Sequence, residues 1–212
     1  MSGPQQLDLA SILRVVRQRG GSARSLTAIA GAPGSGKSTL AEAVVAQLNE
    51  DAPDSAALLP MDGYHFDDHV LVPRGMRPRK GAPDTFDVAG FYHMLQRLKR
   101  NEEPEIAVPV FDRDLEIARA GARLIPQSVR HLIVEGNYLL LDRPGWSSLR
   151  SLFDTTIMIS VPEAVLRQRL VERWQGYKLP PDEVTAKVET NDLPNGRLIL
   201  SASAPAEFLF AV

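Results

Sequence analysis

The sequence predicts an α/β fold, a doubly wound parallel sheet with helices on both faces. The first observation is residues 25–30 (SLTAIA), a short apolar run ending at a glycine, which is typical of a buried parallel strand. The second is the pair of further apolar runs at 132–134 and 156–159. The third is that segments with helical spacing alternate with these runs, as strand–helix–strand units require.

The elements follow one another in a simple order. A helix within 1–21 opens the chain as an accessory element, followed by the strand at 25–30 and a helix whose apolar residues are four apart. A second strand at 55–59 leads into a long loop, 60–87, rich in Pro, Gly, Asp and Arg. The apolar positions that predict the helices are Leu9, Ile12, Leu13 and Val16, then Leu40, Val44 and Leu48, then Val88, Phe91, Leu95 and Leu98, and finally Leu166, Leu170 and Trp174.

Size and composition predict one globular domain over residues 1–212, with 44% hydrophobic and 24% charged residues. The absence of cysteine excludes disulfides, thiolate metal sites and a cysteine nucleophile, and favours a reducing, cytoplasmic location. A formal charge of -2 gives no general attraction for nucleic acid or anionic membranes, so neither is expected as a partner. We expect no signal peptide, because no basic start precedes an apolar stretch.

One complete motif carries chemistry, and it lies between the first strand and its helix. It matches G-x-x-x-x-G-K-[ST], a loop whose backbone N–H groups surround a phosphate chain. Lys37 can reach the outer phosphates, Ser38 can hold Mg²⁺, and Thr39 continues the loop into the helix. A tight glycine turn with a solvated lysine is the structural alternative. The motif reads Gly31-Ala32-Pro33-Gly34-Ser35-Gly36-Lys37-Ser38.

The loop predicts a nucleoside triphosphate but does not separate kinases from ATPases, GTPases or nucleic-acid motors. No N-K-x-D guanine-recognition motif occurs late in the chain, which favours ATP.

Further motifs make the sequence resemble the superfamily of uridine kinase, pantothenate kinase and phosphoribulokinase. Within it, the similarity is strongest to short bacterial proteins named fructose transport system kinases. The resemblance implies a P-loop NTPase fold of the nucleoside-kinase type, with ATP and Mg²⁺ and with a mobile lid at about 163–190. The segments that carry it are Met61-Asp62-Gly63-Tyr64-His65, residues 80–87 (KGAPDTFD), Pro109-Val110-Phe111-Asp112-Arg113, residues 134–140 (VEGNYLL) and residues 191–195 (NDLPN).

Two acids have predicted roles in phosphate transfer. Asp62 follows a strand end and matches the family's acid at that place, so we expect it to orient and deprotonate the acceptor hydroxyl. A turn-forming role before Gly63 is compatible with this. Glu135 ends the run 132–134, and the resemblance assigns it to the metal, although it could be a solvated strand-end acid.

The acceptor site is expected in the loop 60–87 and around Asp112. The resemblance assigns Tyr64, Phe86, Asp112 and Arg113 to acceptor binding. Arg79 belongs to a basic cluster in 73–80 that could close over a phosphate or an anionic acceptor, although such clusters are more often solvated. His65 receives little weight, because an isolated histidine is more often structural.

The predicted lid helix carries three arginines. Arg169 and Arg173 are four residues apart and share a face, so we expect them over the ATP phosphates, with Arg169 assisting transfer. A solvated helix face is the alternative, and Arg167 belongs to the same set. By resemblance alone, Asn195 is expected near the adenine.

The leading hypothesis is an ATP- and Mg²⁺-dependent kinase acting on a hydroxyl of a small polar metabolite, with a sugar or nucleoside-like acceptor favoured. The alternative is a regulatory or assembly ATPase that acts with a protein partner. A nucleic-acid motor is disfavoured by the lack of a basic surface. A homodimer through the opening helix or the tail at 208–210 is possible on this sequence.

Overall fold

The structure is a computed structural model that describes residues 4–21 and 23–211. Its central sheet has six parallel strands, in the order β1 (Gln5–Gln6), β8 (Phe208–Ala211), β7 (Thr155–Ser160), β2 (Ser25–Gly31), β6 (His131–Gly136) and β3 (Ala56–Pro60). Because the sheet is parallel and covered by helices, the predicted doubly wound α/β class is confirmed. Residues 1–3, part of the predicted opening helical segment, lie outside the described residues. The chain also contains the strands β4 (Glu105–Asp112) and β5 (Ile117–Pro126).

Helices cover both faces of this sheet, so the middle strands are apolar on both sides. Every residue of β2 is buried, as the apolar run 25–30 predicted. The helices are α1 (Leu9–Arg19), α2 (Lys37–Asp51), α3 (Asp68–Leu71), α4 (Val88–Arg100), α5 (Glu163–Gly176), α6 (Pro181–Lys187) and α7 (Leu193–Ala202). One core lies under α1, α2 and α5, and the other lies under α4 and α7.

Strand order determines which loops meet. Strand β6 pairs with β2 on one side and with β3 on the other, and Ile29 lies opposite Glu135 in the register. The carboxyl ends of β2, β6 and β3 therefore meet at one edge of the sheet. This places the phosphate loop, Glu135 and Asp62 side by side.

The structure adds three features that the sequence patterns did not predict. The loop 60–87 contains the short helix α3 and three single 3₁₀ turns, at Met61–Tyr64, Arg77–Arg79 and Pro83–Thr85. Strands β4 and β5 form a separate antiparallel hairpin. Strand β1 precedes the opening helix and pairs with β8.

Two local features concern the tail of the chain and the start of α4. The tail 208–210 lies within β8, so its apolar side chains help to close the domain. Asp87 caps α4, since its carboxylate accepts a hydrogen bond of 2.9 Å from the backbone N–H of Gly90. None of the helices in the described ranges has the length and apolar character needed to cross a bilayer.

Candidate active site

A cavity of about 710 Å³ opens at the carboxyl edge of the sheet. Its wall includes the phosphate loop from Pro33 onward, the ends of β3 and β6, the acceptor-side loop and the lid helix. Large clefts at this edge are where parallel α/β proteins bind ligands. The cavity is therefore the candidate active site.

The phosphate loop forms the middle of the cavity wall. Gly34 and Gly36 have φ values of +78° and +91°, a conformation that glycine adopts without strain. A Cβ built on Gly36 would meet no atom within 4 Å, so the space above its backbone is open. Gly31 and Ala32, the first two residues of the loop, are not part of the cavity wall, and a Cβ on Gly31 would lie 2.6 Å from Ser35 Oγ. The main-chain N–H groups can therefore approach a phosphate closely.

Lys37 begins α2 and lies in this wall. Burial lowers the pKa of its ammonium group, while the negative charges of Glu135 and Asp62 act in the opposite direction. Because the Lys37 ammonium group is buried, few water molecules can contact it. Its positive charge can therefore compensate the negative charge of a bound phosphate.

Glu135 is 5% exposed and lies near the start of α2. Its Oε1 accepts a hydrogen bond of 3.2 Å from the Ser38 hydroxyl. Burial raises the pKa of Glu135, and the nearby charge of Lys37 opposes this shift. A hydroxyl oxygen beside a carboxylate is the oxygen donor set that Mg²⁺ accepts when phosphates and water complete its shell.

The described residues contain no cluster of three or more His, Asp and Glu side chains that could hold a metal alone. The Ser38 hydroxyl and the Glu135 carboxylate fit a metal ion whose other ligands are phosphate oxygens and water.

Asp62 stands in the 3₁₀ turn that follows β3. Its Oδ2 accepts a hydrogen bond of 2.7 Å from Arg113 Nη2. Burial alone would raise the pKa of Asp62, but its interactions with His65, Arg113 and Lys37 outweigh burial and lower the pKa. The group is therefore a carboxylate at neutral pH, facing the same cavity as Lys37.

Sequence reasoning gave His65 little weight, yet this side chain lines the cavity. His65 directly follows the 3₁₀ turn Met61–Tyr64, and its backbone N–H donates to the backbone oxygen of Asp62. Its Nδ1 donates a 2.8 Å hydrogen bond to the backbone oxygen of Asp62, and burial lowers the pKa of the ring. The ring lies between Phe86 and Phe111, with centroids 4.0 and 4.7 Å away.

In the basic cluster at 73–80, the residues that line the cavity are Arg77 and Lys80. Arg79, the residue predicted for acceptor binding, does not line it. Arg77 Nε and Lys80 Nζ both donate to the carboxylate of Asp68, at 2.6 and 2.8 Å. This shared acid holds both cations toward the cavity.

Two other predicted acceptor residues lie away from the cavity wall. The Tyr64 ring packs against Phe91, with centroids 4.7 Å apart. Asp112 accepts hydrogen bonds from the backbone N–H groups of Asp114 and Leu115 and pairs with Arg119 at 3.3 Å. It thereby stabilises the turn of the hairpin. Phe86 and Arg113 do line the cavity, so the segments 80–87 and 109–113 contribute through those residues.

The lid helix α5 packs over the phosphate loop, since Leu170 lies 3.2 Å from a Cβ built on Gly34. Arg169 and Arg173 line the cavity, and Arg169 Nη1 donates to the backbone oxygen of Gly34 at 3.4 Å. Arg167 instead pairs with Glu163 and Glu189.

Asn195 is 4% exposed and lines the cavity. Its Nδ2 donates to Asn191 Oδ1, and Asn191 in turn donates to the backbone oxygen of Lys80 at 3.1 Å. A role near the adenine stays a prediction.

The chain is similar over most of its length to proteins that are named as kinases. No protein-family model matches the sequence. A Schizosaccharomyces pombe protein, whose name gives uridine kinase as a provisional assignment, is 33% identical over 179 residues, 81% of this chain and 76% of that relative. Escherichia coli YggC, named as uncharacterised, is 34% identical over 203 residues, 95% of this chain and 81% of that relative.

A crystal structure from Silicibacter sp. TM1040, provisionally named a fructose transport system kinase, is 43% identical with a TM-score of 0.88. The match covers 96% of this chain and 98% of that chain. YFH7 of Saccharomyces cerevisiae, described as a P-loop kinase with a circular permutation, shares the fold with a TM-score of 0.83 at 19% identity.

Proposed function

We propose that this chain, which belongs to the P-loop kinases of the uridine kinase and phosphoribulokinase superfamily, uses ATP and Mg²⁺ to phosphorylate a hydroxyl of a small polar metabolite, with a sugar as the favoured acceptor. Its relatives are phosphotransferases with hydroxyl acceptors, so the chain is a small-molecule kinase. The identity of the acceptor and the role of each residue belong to the proposal.

The observation that carries the proposal is the convergence of Lys37, Glu135 and Asp62 on one cavity. Phosphate transfer needs positive charge at the transferred group, ligands for a metal ion and a carboxylate that accepts the proton of the acceptor hydroxyl. These three groups come from three adjacent strand ends and supply one requirement each.

The donor's phosphate chain is held by the backbone N–H groups of the loop and by Lys37. Ser38 and Glu135 would hold Mg²⁺, which neutralises phosphate charge when it is bound. Because Lys37 is buried, its charge acts in a medium of low polarity and stabilises the transferring group more than an exposed lysine could.

Asp62 is the proposed base. As the acceptor oxygen bonds to the γ-phosphorus, its proton passes to the carboxylate, and the bond from the γ-phosphorus to the bridging oxygen breaks with its electrons going to ADP. The lowered pKa keeps Asp62 ionised at neutral pH. Arg113 fixes the carboxylate at 2.7 Å and limits its rotation.

Arg169 and Arg173 are proposed to face the phosphates from above. Their positions in the cavity wall, with α5 packed on Gly34, fit a cover that excludes water during transfer. Exclusion of water matters to a kinase because water competes with the acceptor hydroxyl.

The acceptor end favours a small molecule rich in hydroxyls. Its wall combines Phe86 and Phe111, whose rings stack on the His65 ring, with the charged side chains of Arg77, Lys80 and Arg113. Charged donors of this kind suit the hydroxyl groups of a small polar molecule.

The test is transfer of labelled γ-phosphate from ATP, with Mg²⁺, into pooled sugars, nucleosides and vitamin precursors, with product separated from free phosphate. We expect a labelled organic phosphate from the sugar pool. A product from another pool would correct the acceptor class. Free phosphate alone, or release only with an added protein, would favour the partner-coupled ATPase.

A further inference from the structure

The cavity extends past the phosphate loop to a second, apolar end. There it is lined by Leu9 of α1 and Phe210 of β8, together with Leu40 and Ala43 of α2. We infer that the N-terminal segment 5–19 is part of the donor site, and that Leu9 and Phe210 hold the base of the nucleotide. This inference rests on the proposed function.

Strand order gives the direction of the bound nucleotide. Strand β8 lies two places from β2 on the side opposite to β3, and β1 lies one place further. With neighbouring strands about 4.8 Å apart, β3 and β8 each lie roughly 10 Å from β2. The γ-phosphate must be next to Asp62, after β3. The nucleoside end of the donor therefore points toward β8 and β1.

The chemistry of this end suits a flat, weakly polar ring. Leu9 and Phe210 are half-buried, and each packs against the core under α1 and α2 while it also faces the cavity. A purine base placed here would bury its faces on aliphatic and aromatic carbon, which is favourable in proportion to the area removed from water. The proposed function assigns the charged side chains of the cavity to the phosphates and the acceptor, and the apolar end is left for the base.

Backbone pairing fixes the position of Leu9. Gln5 and Gln6 pair in parallel with β8, and the N–H of Leu7 donates to the backbone oxygen of Leu209 at 2.8 Å. Asp8 then caps α1 through a 2.8 Å bond from the N–H of Ser11. The segment that the sequence marks as accessory is thus anchored at the cavity, with Leu9 as the first helical residue.

The experiment compares two ligands that differ in the base and ribose. Calorimetry measures the affinities of the full chain for ATP and for inorganic tripolyphosphate, each with Mg²⁺. We expect wild-type protein to prefer ATP by roughly tenfold or more, since base burial adds contact area. Leu9→Ala should reduce this preference about fivefold, and Leu9→Ala with Phe210→Ala should bring it close to one.

Tripolyphosphate affinity should stay within about twofold in both variants, which shows that the phosphate loop is still folded. Alanine favours helix, so Leu9→Ala alone carries the test if the double variant no longer binds tripolyphosphate. Leu124→Ala, an exposed leucine on β5, is the matched control and should change neither affinity.

An unchanged ATP preference in a Leu9→Ala variant that binds tripolyphosphate overturns the inference and leaves the proposed function standing. Wild-type protein that binds neither ligand overturns both. Wild-type protein that binds both ligands equally places the base elsewhere and overturns the inference alone.

Discussion

The phosphate loop and the acceptor end of the cavity are built in opposite ways. The loop is one continuous stretch, 31–38, and its ligand-facing groups are mostly backbone N–H groups made accessible by Gly34 and Gly36. The acceptor end is assembled from side chains of three separate segments, in the 3₁₀ turn after β3, in the loop 77–86 and in the β4–β5 hairpin.

This difference has a consequence for mutation. Because the phosphate loop contacts its ligand mostly through backbone N–H groups, many side-chain changes there should leave nucleotide binding intact. Loss of nucleotide binding should follow from substitution of only a few charged residues. The acceptor end depends on ion pairs such as Arg113–Asp62 and on Asp68 with its two cations. Single changes there should alter transfer or acceptor affinity while nucleotide binding persists.

The largest effect is expected for a substitution of Asp62, which should abolish the function of the acceptor end and leave the nucleotide-binding end intact. We expect Asp62→Asn to lower kcat about 10²- to 10⁴-fold, because the proton acceptor is lost, with ATP affinity within a few-fold of wild type. Steady-state kinetics and calorimetry with ATP measure the two quantities. Asp84→Asn, an exposed change in the same loop, is the control. Intact turnover with weakened ATP binding would show that Asp62 serves the donor instead.

The second test compares two arginines of one helix. Arg169 lines the cavity, whereas Arg167 pairs with Glu163 and Glu189. Arg169→Gln should lower kcat/KM about a hundredfold through loss of positive charge at the phosphates. Arg167→Gln should change it less than about threefold, since exposed ion pairs contribute little. Equal losses in the two variants would argue that α5 matters only for folding.

The third test uses the pH dependence of transfer. Burial would raise the pKa of Asp62, and the charge of Arg113 is among the groups that lower it. Arg113→Gln should therefore move the acid limb of the kcat/KM profile to higher pH, because the Asp62 carboxylate is protonated sooner as pH falls. At neutral pH the same variant should lower kcat/KM roughly tenfold. Arg119→Gln, in the same hairpin, should leave the limb in place. An unmoved limb in Arg113→Gln would mean that Asp62 is not the titrating base.

The smallest effect sharpens the acceptor end itself. Arg77→Gln should raise the acceptor KM about threefold to fivefold, since this partly exposed arginine faces the cavity. Arg79→Gln should leave that KM unchanged, although the sequence favoured Arg79. The acceptor KM values of both variants show which arginine contacts the acceptor. A larger change in Arg79→Gln than in Arg77→Gln would support the prediction made from the sequence.

The candidate site was only partly accessible from sequence. The sequence predicts the loop 31–38 from its complete motif, and it predicts Asp62 and Glu135 from their positions after strands together with the family resemblance. The sequence patterns did not predict the 3₁₀ turn that brings His65 beside Asp62. Lys80 and Phe111 lie in segments that the sequence marks, but which of their side chains face the cavity depends on how the loop and the hairpin fold over the sheet.

What the sequence determined by itself was local: the glycine motif, the alternation of strands and helices, and the acids at strand ends. These depend on backbone conformation and on patterns over a few residues. Tertiary structure alone decided which loop side chains face the cavity, why Asp112 stabilises a turn, and how the two-residue strand β1 brings Leu9 to the donor end. Those outcomes follow from pairing and packing between segments far apart in the chain, which no short pattern encodes.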